Sequence, residues 1–537
     1  MRFFLHLISC LLLLTFISCR RNTAEVTHNH LGEVHFTAQG LPEAQAYFQK
    51  GLLLLHSFEY DDSRLAFLQA QEEDPNMCMA FWGEAMTHNH PLWRQQDTEA
   101  GRAALAKLAP TPEERAEKAG SELERDLLTA AEVLYGEGTK IERDSAYASY
   151  MKGLHKKHGG QHEVAAFYAL SLLGAVPVGR DYEAYGLGAQ IAESILTENP
   201  NHPGALHYLI HAYDDPGHAA QAIQAADSYA KVAPDAAHAL HMPSHIYVAM
   251  GMWDEVVSSN IASYGASVKR MERLGLDNNA RSYHAFAWLM YGQLQKGRHS
   301  EALAIMKDMI RYTEELPSKP ARSYLNSMQG NYLVETGDWE GPMADISVNV
   351  SDLNIVHRGI RGFVEGMKAY RKLDEEGLRA IITEMEDDRQ SASLQVSDEG
   401  TPLCSAGQNR QSPNRQDLDQ ARVMELELRS LYARLIGKTD MANKLLAEAT
   451  MLENNIDYSY GPPDIVYPSF EMYGAWLLEQ GKPAEALQQF KMALARGPKR
   501  VNALRGQLEA ARKLSDQELI QTTTATLAEI GVLPAES

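Results

Sequence analysis

Apolar residues recur at helical spacing along most of the chain, and the stretch that begins at Pro203 shows the pattern well. Leu206, Leu209, Ile210 and Tyr213 fall on one face of a helix there, because residues three or four apart lie side by side on a helical surface. The spacing predicts an amphipathic helix that packs its apolar face against a neighbouring element.

Small and aromatic residues recur with a much longer period, which both ends of the chain share. Near the C-terminus these residues are Gly474, Gly481, Ala486, Phe490, Ala493 and Pro498. Near the N-terminus the corresponding residues are Tyr47, Gly51, Tyr60, Phe67, Ala70 and Pro75. Small residues at such offsets let two antiparallel helices approach each other closely, and further copies with weaker fidelity lie in between.

These positions resemble the tetratricopeptide repeat, a helix pair of about 34 residues. The resemblance covers most of residues 40–530. It implies an all-α fold, an α-solenoid in which about eight to ten antiparallel helix pairs stack into a superhelix. In that family the first helix of each pair lines a concave inner wall. The resemblance therefore implies a scaffold or peptide-binding role, with a ligand or protein partner in the concave groove.

Two segments interrupt the period. Residues 91–160 hold longer helices, and residues 386–416 are polar, rich in Ser and Gln, and without helical spacing, which predicts a flexible loop. The predicted organisation is a signal peptide at 1–18, an extended segment at 19–40, a repeat array at 41–385 with a helical insertion at 91–160, a polar loop at 386–416 and C-terminal repeats at 417–537.

The N-terminus combines an early charge at Arg2 with an apolar run, which is the pattern of a secretory leader. Cys19 follows a small residue, and the junction resembles a bacterial lipoprotein lipobox, although Phe16 stands where that pattern prefers leucine. The resemblance implies that Cys19 is the lipidated first residue of a mature protein anchored to the inner or outer membrane and facing the periplasm. An uncleaved short anchor and ordinary signal cleavage are the alternatives.

The charge balance limits the partners. The 537 residues carry a formal net charge of −21, which argues against nucleic acid because a phosphate backbone requires a basic surface. No later stretch is apolar enough to cross a bilayer, so the expected membrane contact is the lipid anchor alone. Besides Cys10 and Cys19, only Cys78 and Cys404 are present, which is too few for a disulfide framework. They could form one pair or remain thiols.

Histidines recur with the period of the repeat. His207 and His211 are four residues apart, and His241 and His245 follow 34 residues later. In the frame of the repeat both pairs occupy inner-wall positions, and adjacent helices pack roughly 8–10 Å apart. The two pairs should therefore lie side by side and converge on one small ion.

Neutral imidazole is a common ligand of borderline metals, and histidines at i and i+4 offer two ligands from one helical face. The sequence therefore predicts a site for a divalent transition metal, namely zinc, copper or iron. Its predicted ligands are His207, His211, His241 and His245. Four more side chains at inner-wall positions are predicted to line the ligand groove: His238, His284, Asp214 and Asp215.

Pro243 complicates this prediction because proline removes a backbone hydrogen bond inside a helix. Either the helix kinks at Pro243, or it begins near Met242 and leaves His238 and His241 in a loop. The second case would loosen the alignment of the two histidine pairs.

A second, weaker cluster is predicted in the first two repeats. His56 and His90 are also 34 residues apart, and Glu84 and His88 lie at i and i+4 beside them. These four side chains could hold a metal or another ligand, or they could form a polar network at the edge of the groove.

Several functions fit the main histidine patch. The favoured hypothesis is a repeat protein whose groove binds a ligand or partner, with a metal site and without an enzymatic role. A metal-dependent enzyme that uses Asp214 or Asp215 as ligand or general base is the first alternative, and a periplasmic metal carrier is the second. Ordinary polar groove residues, or protonated histidines that bind an acidic peptide or a small acid, are further alternatives.

Overall fold

The computed structural model describes residues 30–403 and 412–532. The predicted signal peptide at 1–18, the predicted lipidation site Cys19, and Cys404 lie outside the described residues. Cys78 is a buried thiol. Helices make up nearly all the secondary structure of the described ranges, so the all-α prediction is confirmed. No helix in these ranges has the length and apolar content that a bilayer span requires.

The chain up to residue 198 contains the first repeats and the insertion. Its helices are α1 (Pro42–His56), α2 (Tyr60–Glu73), α3 (Cys78–Met86), α4 (Thr98–Leu108), α5 (Pro112–Glu117), α6 (Glu122–Leu134), α7 (Lys140–Lys157), α8 (His162–Gly174) and α9 (Tyr182–Glu198). A short antiparallel ribbon follows α3 and pairs β1 (Asn89–His90) with β2 (Gln95–Gln96). α1 packs against α2, and α8 packs against α7 and α9.

The middle of the chain carries the main histidine patch. Its helices are α10 (Pro203–Tyr213), α11 (Ile223–Val232), α12 (Ala237–His241), α13 (Pro243–Met250), α14 (Trp253–Leu274), α15 (Tyr283–Gln295), α16 (His299–Glu315) and α17 (Lys319–Thr336). Met242 keeps helical dihedral angles between α12 and α13, at φ −52° and ψ −37°. The helix therefore kinks at Pro243, and His238 and His241 are helical.

The remaining helices complete the solenoid. They are α18 (Ile355–Arg371), α19 (Glu375–Ser393), α20 (Arg415–Leu435), α21 (Thr439–Asn455), α22 (Ser469–Glu479), α23 (Pro483–Arg496), α24 (Val501–Leu514) and α25 (Gln517–Glu529). α19 continues into the segment 386–416, which was predicted to be a loop. Its last turn is held because Ala392 is buried in a small apolar cluster with Ile355 and Leu418.

Glycine–phenylalanine contacts show why the helix pairs are of the tetratricopeptide type. A Cβ atom at Gly51 in α1 would lie 2.8 Å from the Phe67 ring, and one at Gly83 in α3 would lie 2.3 Å from the same ring. Phe490 is enclosed in the same way by Gly474 and Gly506. One aromatic ring of a second helix thus fills the space left by glycines on the two flanking first helices. The predicted α-solenoid is confirmed by this packing.

An extended segment precedes the first helix. Residues 30–40 contain no helix or strand and lie across the repeats, with the amide of Glu33 donating to the Asn201 carbonyl at 3.0 Å. The amide of Asp235 donates to the His30 carbonyl at 3.2 Å. The segment thereby connects two consecutive repeats of the middle region.

The C-terminal repeats contact the middle of the chain. The indole of Trp253 donates to the Lys499 carbonyl at 3.0 Å, and the buried guanidinium of Arg500 pairs with Glu335 at 2.8 Å and with Glu471 at 2.6 Å. Apolar residues of α24 join the core of the N-terminal repeats. The solenoid therefore closes over part of its own inner wall.

Candidate metal centre

Six histidines lie together on the first helices of three consecutive repeats. They form two groups, which we call the first trio (His207, His211 and His238) and the second trio (His241, His245 and His284). Within each trio, one ring nitrogen from every histidine lies within 4.8 Å of the others. The sequence predicted one ion between two pairs; the structure forms these two sets of three histidines, and a further group joins His211 and His245, one histidine of each pair, with Asp214.

The two trios are related by one step of the repeat. α10 provides His207 and His211, and α12 provides His238. One repeat later, α12 and α13 provide the equivalent pair, and α15 provides His284. The third histidine of each trio therefore comes from the next repeat, and a trio forms only when neighbouring repeats stack. This explains why the pairs recur with the period of the solenoid.

Hydrogen bonds at Nδ1 fix the tautomers of two imidazoles. Nδ1 of His207 lies 2.7 Å from the carbonyl oxygen of His56, and Nδ1 of His241 lies 2.7 Å from Oδ1 of Asn260. The Asn260 amide is oriented because its nitrogen donates to the Val256 carbonyl at 2.7 Å. Both acceptors carry no proton, so each Nδ1 carries one and each Nε2 keeps its lone pair.

Asp214 fixes one imidazole of each trio. Its Oδ2 accepts from Nδ1 of His211 at 3.3 Å and from Nδ1 of His245 at 3.1 Å. The other carboxylate oxygen pairs with the guanidinium of Arg180. Although burial opposes its ionisation, Arg180 and the two histidine hydrogen bonds hold the pKa of Asp214 below its usual range. Asp214 is thus an anion that orients ligands of both trios from behind.

The Nε2 atoms face one another in each trio. The distance between Nε2 of His207 and Nε2 of His238 is 3.2 Å, and that between Nε2 of His241 and Nε2 of His245 is also 3.2 Å. Two nitrogens bound to one tetrahedral metal at about 2.0–2.1 Å are separated by roughly 3.3–3.4 Å, which is close to these distances. Nε2 of His211 is buried without a hydrogen-bond partner, as expected for a lone pair that a metal would take.

Burial keeps these imidazoles neutral. Desolvation, together with the repulsion of neighbouring histidines, lowers the pKa of His207, His238 and His241 well below the usual value. Desolvation also lowers the pKa of His245, against the opposing hydrogen bond to Asp214. Neutral imidazole is the form that binds metals. The hypothesis of protonated histidines that capture an acid is therefore disfavoured.

An aromatic ring flanks each trio. The Phe58 ring centroid lies 4.3 Å from that of His207 and 5.7 Å from that of His238. Trp288 takes the same place in the second trio, at 4.8 Å from both His241 and His245. Apolar rings at this distance exclude water and restrict the rotation of the imidazoles.

The segment between α21 and α22 covers the trios. The Tyr460 ring centroid lies 5.0 Å from that of His245 and 6.2 Å from that of His211. Gly461 follows with φ +111° and lies so close to Trp288 that a Cβ atom would be 2.5 Å from the indole. Only glycine fits there. The inner wall at the trios is therefore not an open groove, because the chain itself covers it.

A cavity of about 380 Å³ remains beside the first trio. It is lined by His211, by residues between Pro91 and Tyr185 in the N-terminal part of the chain, by α20 and by the segment that carries Tyr460. A three-histidine site leaves coordination positions open. The cavity gives a small molecule room to reach the first trio.

The remaining predicted site residues have other roles. Asp215 accepts from Nδ1 of His218 at 2.9 Å and from the amide of Gly217 at 2.9 Å. His284 completes the second trio, and its Nδ1 lies 3.2 Å from the Tyr324 hydroxyl. Asp215 thus stabilises a turn and binds none of the six imidazoles.

The second predicted cluster does not form a metal-ligating group among the described residues. Nε2 of His56 donates to Glu163 at 2.6 Å while its Nδ1 accepts from the Tyr208 hydroxyl at 2.9 Å. Glu84 pairs with Lys107, and His90 stacks on Tyr60. His56, Glu84, His88 and His90 are separated because α3 ends at Met86, so His88 and His90 lie beyond the helix, with His90 in β1, whereas His56 is the last residue of α1.

His56 instead belongs to a group with Glu163 and His202 that also brings three potential ligands together. Nε2 of His202 donates to Glu163 at 3.2 Å, and Nδ1 of His202 accepts the amide of Ala205 at 3.1 Å. Every ring nitrogen of this group is therefore hydrogen-bonded to a carboxylate, a hydroxyl or a backbone amide, whereas Nε2 of His207, His241 and His245 faces another imidazole. We interpret it as a structural network rather than a metal site.

Three residues that shape the site were not predicted from the sequence. Asn260 and Arg180 orient the imidazoles directly or through Asp214, and Tyr460 covers them. Asn260 sits in the middle of α14, where an asparagine is unfavourable for a helix, which is a signal that could have marked it. Neither Arg180 nor Tyr460 stands at a repeat position, so no sequence pattern marked them.

No known family model and no curated protein matches the sequence at a significant level. Among solved structures, the Cut9–Hcn1 hetero-tetramer of the APC/C matches at 12% identity over 87% of this chain and 76% of that chain, with a TM-score of 0.36. Yeast Tom70 matches at 10% identity over 91% and 92%, with a TM-score of 0.32. The TPR domain of P58(IPK) matches at 12% identity over 88% and 99%, with a TM-score of 0.20. At these values the functions of those proteins do not transfer to this chain.

Proposed function

We propose that this protein is a transition-metal-dependent enzyme in which each trio holds one metal ion. The observation that carries the proposal is the orientation of the imidazoles: His207, His211, His241 and His245 each donate from Nδ1 to an oxygen. Nε2 of His207, His241 and His245 faces another imidazole, and Nε2 of His211 is buried without a hydrogen-bond partner. If these histidines were ordinary polar residues of the groove, there would be no reason for all four to carry their proton on Nδ1 and to have that proton held by an oxygen.

Catalysis is favoured over storage by the coordination number and by the cavity. Structural zinc sites are closed by four protein ligands, whereas catalytic sites use three and keep a position for water or substrate. Each trio offers three histidines, and His211 lines the cavity of about 380 Å³. Metal bound there could activate a water or polarise a substrate.

A small molecule is favoured over a protein partner at this site. Tyr460 and Gly461 cover the inner wall at the second trio, so a bound peptide could not lie along it as it would along an open groove. Protein binding elsewhere on the solenoid is compatible with the fold. The substrate of the proposed enzyme therefore enters the cavity beside His211, which lies between the N-terminal part of the chain and the C-terminal repeats.

Metal analysis of the full chain, purified without a histidine tag, tests the proposal. We expect about two transition-metal ions per chain, since each trio provides three imidazoles. His207→Ala and His241→Ala should each remove one ion, and the double variant should remove both. His218→Ala is the matched control, because this histidine lies next to the site but outside both trios. A protein that binds no ion, or that keeps both ions in every variant, would contradict the proposal.

A second measurement separates an enzyme from a carrier. The Co²⁺-substituted protein should change its visible spectrum when azide is added, because an open coordination position accepts the anion. A carrier with a closed coordination shell would show no change.

We also propose that the protein is held in the bacterial cell envelope through Cys19, which rests on the sequence pattern alone. In a bacterial host, radiolabelled palmitate should enter the wild-type chain, and Cys19→Ala should lose both the label and the membrane fraction. Cys10→Ala is the control within the leader. Retention of the label by Cys19→Ala would overturn this proposal.

A further inference from the structure

The cavity beside the first trio differs in charge from the metal sites themselves. Three carboxylates line it, and all come from the C-terminal half of the chain: Asp417, Asp457 and Asp464. Two guanidiniums from the N-terminal half of the chain, those of Arg94 and Arg180, also line the cavity. Arg180 already forms an ion pair with the buried Asp214, so its charge is compensated. Among the described residues that line the cavity, Arg94 is the one remaining cation to balance three acids.

The three carboxylates are not arranged as a second metal site. They do not form a metal-ligating group in the described ranges, since each is held by different partners. Asp457 accepts from the amide of Arg180 at 3.0 Å and from Gln416 at 2.8 Å. Asp464 accepts from Gln420 at 3.3 Å. The acids are therefore spread along the wall, which suits an extended ligand better than a single ion.

Asp464 is the carboxylate that most lacks a counter-charge. Asp464 is an exposed residue, and it is one of the residues that line the cavity. Desolvation by the protein atoms around it and the repulsion of Asp417 raise the pKa of Asp464 to about 6. Burial also raises the pKa of Asp417. A cation in the cavity would relieve both effects, because an opposite charge favours the ionised carboxylate.

Aromatic rings on the same wall fit an organic cation. Tyr185, Tyr458 and Tyr460 line the cavity, and the face of a tyrosine ring attracts ammonium groups within about 6 Å. A second sign that a ligand belongs here is His211, which lines the cavity, is only 6% exposed and has a ring nitrogen without a hydrogen-bond partner.

We propose that this cavity binds a small organic amine as its ammonium ion, with the charged end at the carboxylate wall and the other end toward His211. The inference rests on the proposed function insofar as it names the substrate class of the same centre. Recognition of the ammonium group needs only the carboxylates and tyrosines, so it can be measured with and without metal.

Isothermal titration of the full chain with three probes of similar shape tests the inference. The probes are phenethylamine, 2-phenylethanol and 3-phenylpropionate, which are cationic, neutral and anionic at pH 7.5. We expect phenethylamine to bind at least about tenfold more tightly than 2-phenylethanol, as a charged hydrogen bond contributes this much or more. 3-Phenylpropionate should bind most weakly because it is repelled by the acids.

Asp464→Asn provides the residue-level test. It should lower the affinity for phenethylamine about tenfold and leave that for 2-phenylethanol unchanged. Asp387→Asn is the control, because this carboxylate is exposed on α19, away from the cavity. Equal affinity for the amine and the alcohol, stronger binding of the acid, or an unchanged Asp464→Asn would each overturn the inference.

The two proposals fail in distinguishable ways. A chain that binds phenethylamine but no metal would remove the proposed enzyme and keep the amine site. A chain with two metal ions that does not bind phenethylamine, metal-loaded or metal-free, would keep the metal centre and refute the amine.

Discussion

Asp214→Asn is the most informative single change, because one carboxylate orients ligands of both trios. Asparagine has nearly the same volume but offers one acceptor oxygen and one donor nitrogen. If its oxygen faces His211 and His245, its NH2 group faces the guanidinium of Arg180, which also donates. If the amide is flipped, the NH2 group faces the two Nδ1–H groups. Either orientation leaves donors opposed.

The expected effects follow from these contacts. Removing one partner of a buried ion pair costs about 3–5 kcal/mol, so the metal-free variant should lose roughly that much free energy of unfolding. Loss of a carboxylate that orients a ligating histidine typically lowers metal affinity about 10–100-fold. Since Asp214 contacts one histidine in each trio, both ions should be affected, in contrast to the single-site effect of His207→Ala.

The assay combines urea unfolding with a competition titration against a chromophoric chelator. Asp215→Asn is the matched control, because this neighbour is also buried and also pairs with Arg180, at 3.6 Å, but contacts none of the six imidazoles. It should leave both metal affinities within about twofold, as expected for a residue that makes no contact with a ligand. Wild-type affinity in Asp214→Asn, or an equal loss in both variants, would refute the proposed role of Asp214.

Three further predictions concern the fold and its response to pH and metal. Gly83→Ala should destabilise the protein by about 1–3 kcal/mol in thermal denaturation, because its Cβ would lie 2.3 Å from the Phe67 ring. Gly153→Ala is the control and should be neutral or stabilising, because a Cβ there would have no other atom within 4 Å. Burial lowers the pKa of His357 to about 4, so below pH 6.5 the unfolded chain binds a proton that the folded chain does not. As the pH falls from about 6.5 to 4, the free energy of unfolding of the wild type should therefore decrease by up to about 3 kcal/mol relative to that of His357→Gln. Parallel pH profiles of the two proteins in chemical unfolding would contradict this. Zinc at about 1,000 times its dissociation constant should raise the free energy of unfolding by about 4 kcal/mol per site, and an unchanged urea midpoint with zinc would argue against binding to the folded state.

The sequence by itself determined the helix pairs and the approximate place of the histidines. Gly51 and Phe67 predicted how the helices of a pair approach each other, because close packing of two helices depends on residues near in sequence. The offset of 34 residues between His207 and His241 predicted neighbouring inner-wall positions. Local periodicity is sufficient for such predictions, since each repeat contacts mainly the next.

The tertiary structure alone decided the grouping and the chemistry of the site. Whether His238 joins His207 or His241 depends on the curvature of the superhelix, which no single repeat encodes. Arg180 and Tyr460 reach the histidines from outside the repeat pattern, and the Tyr460 segment follows His211 by more than two hundred residues. Contacts over such distances arise only when the solenoid closes on itself. For that physical reason the sequence predicted an open groove, and the folded chain instead encloses its histidines beside a small acidic cavity.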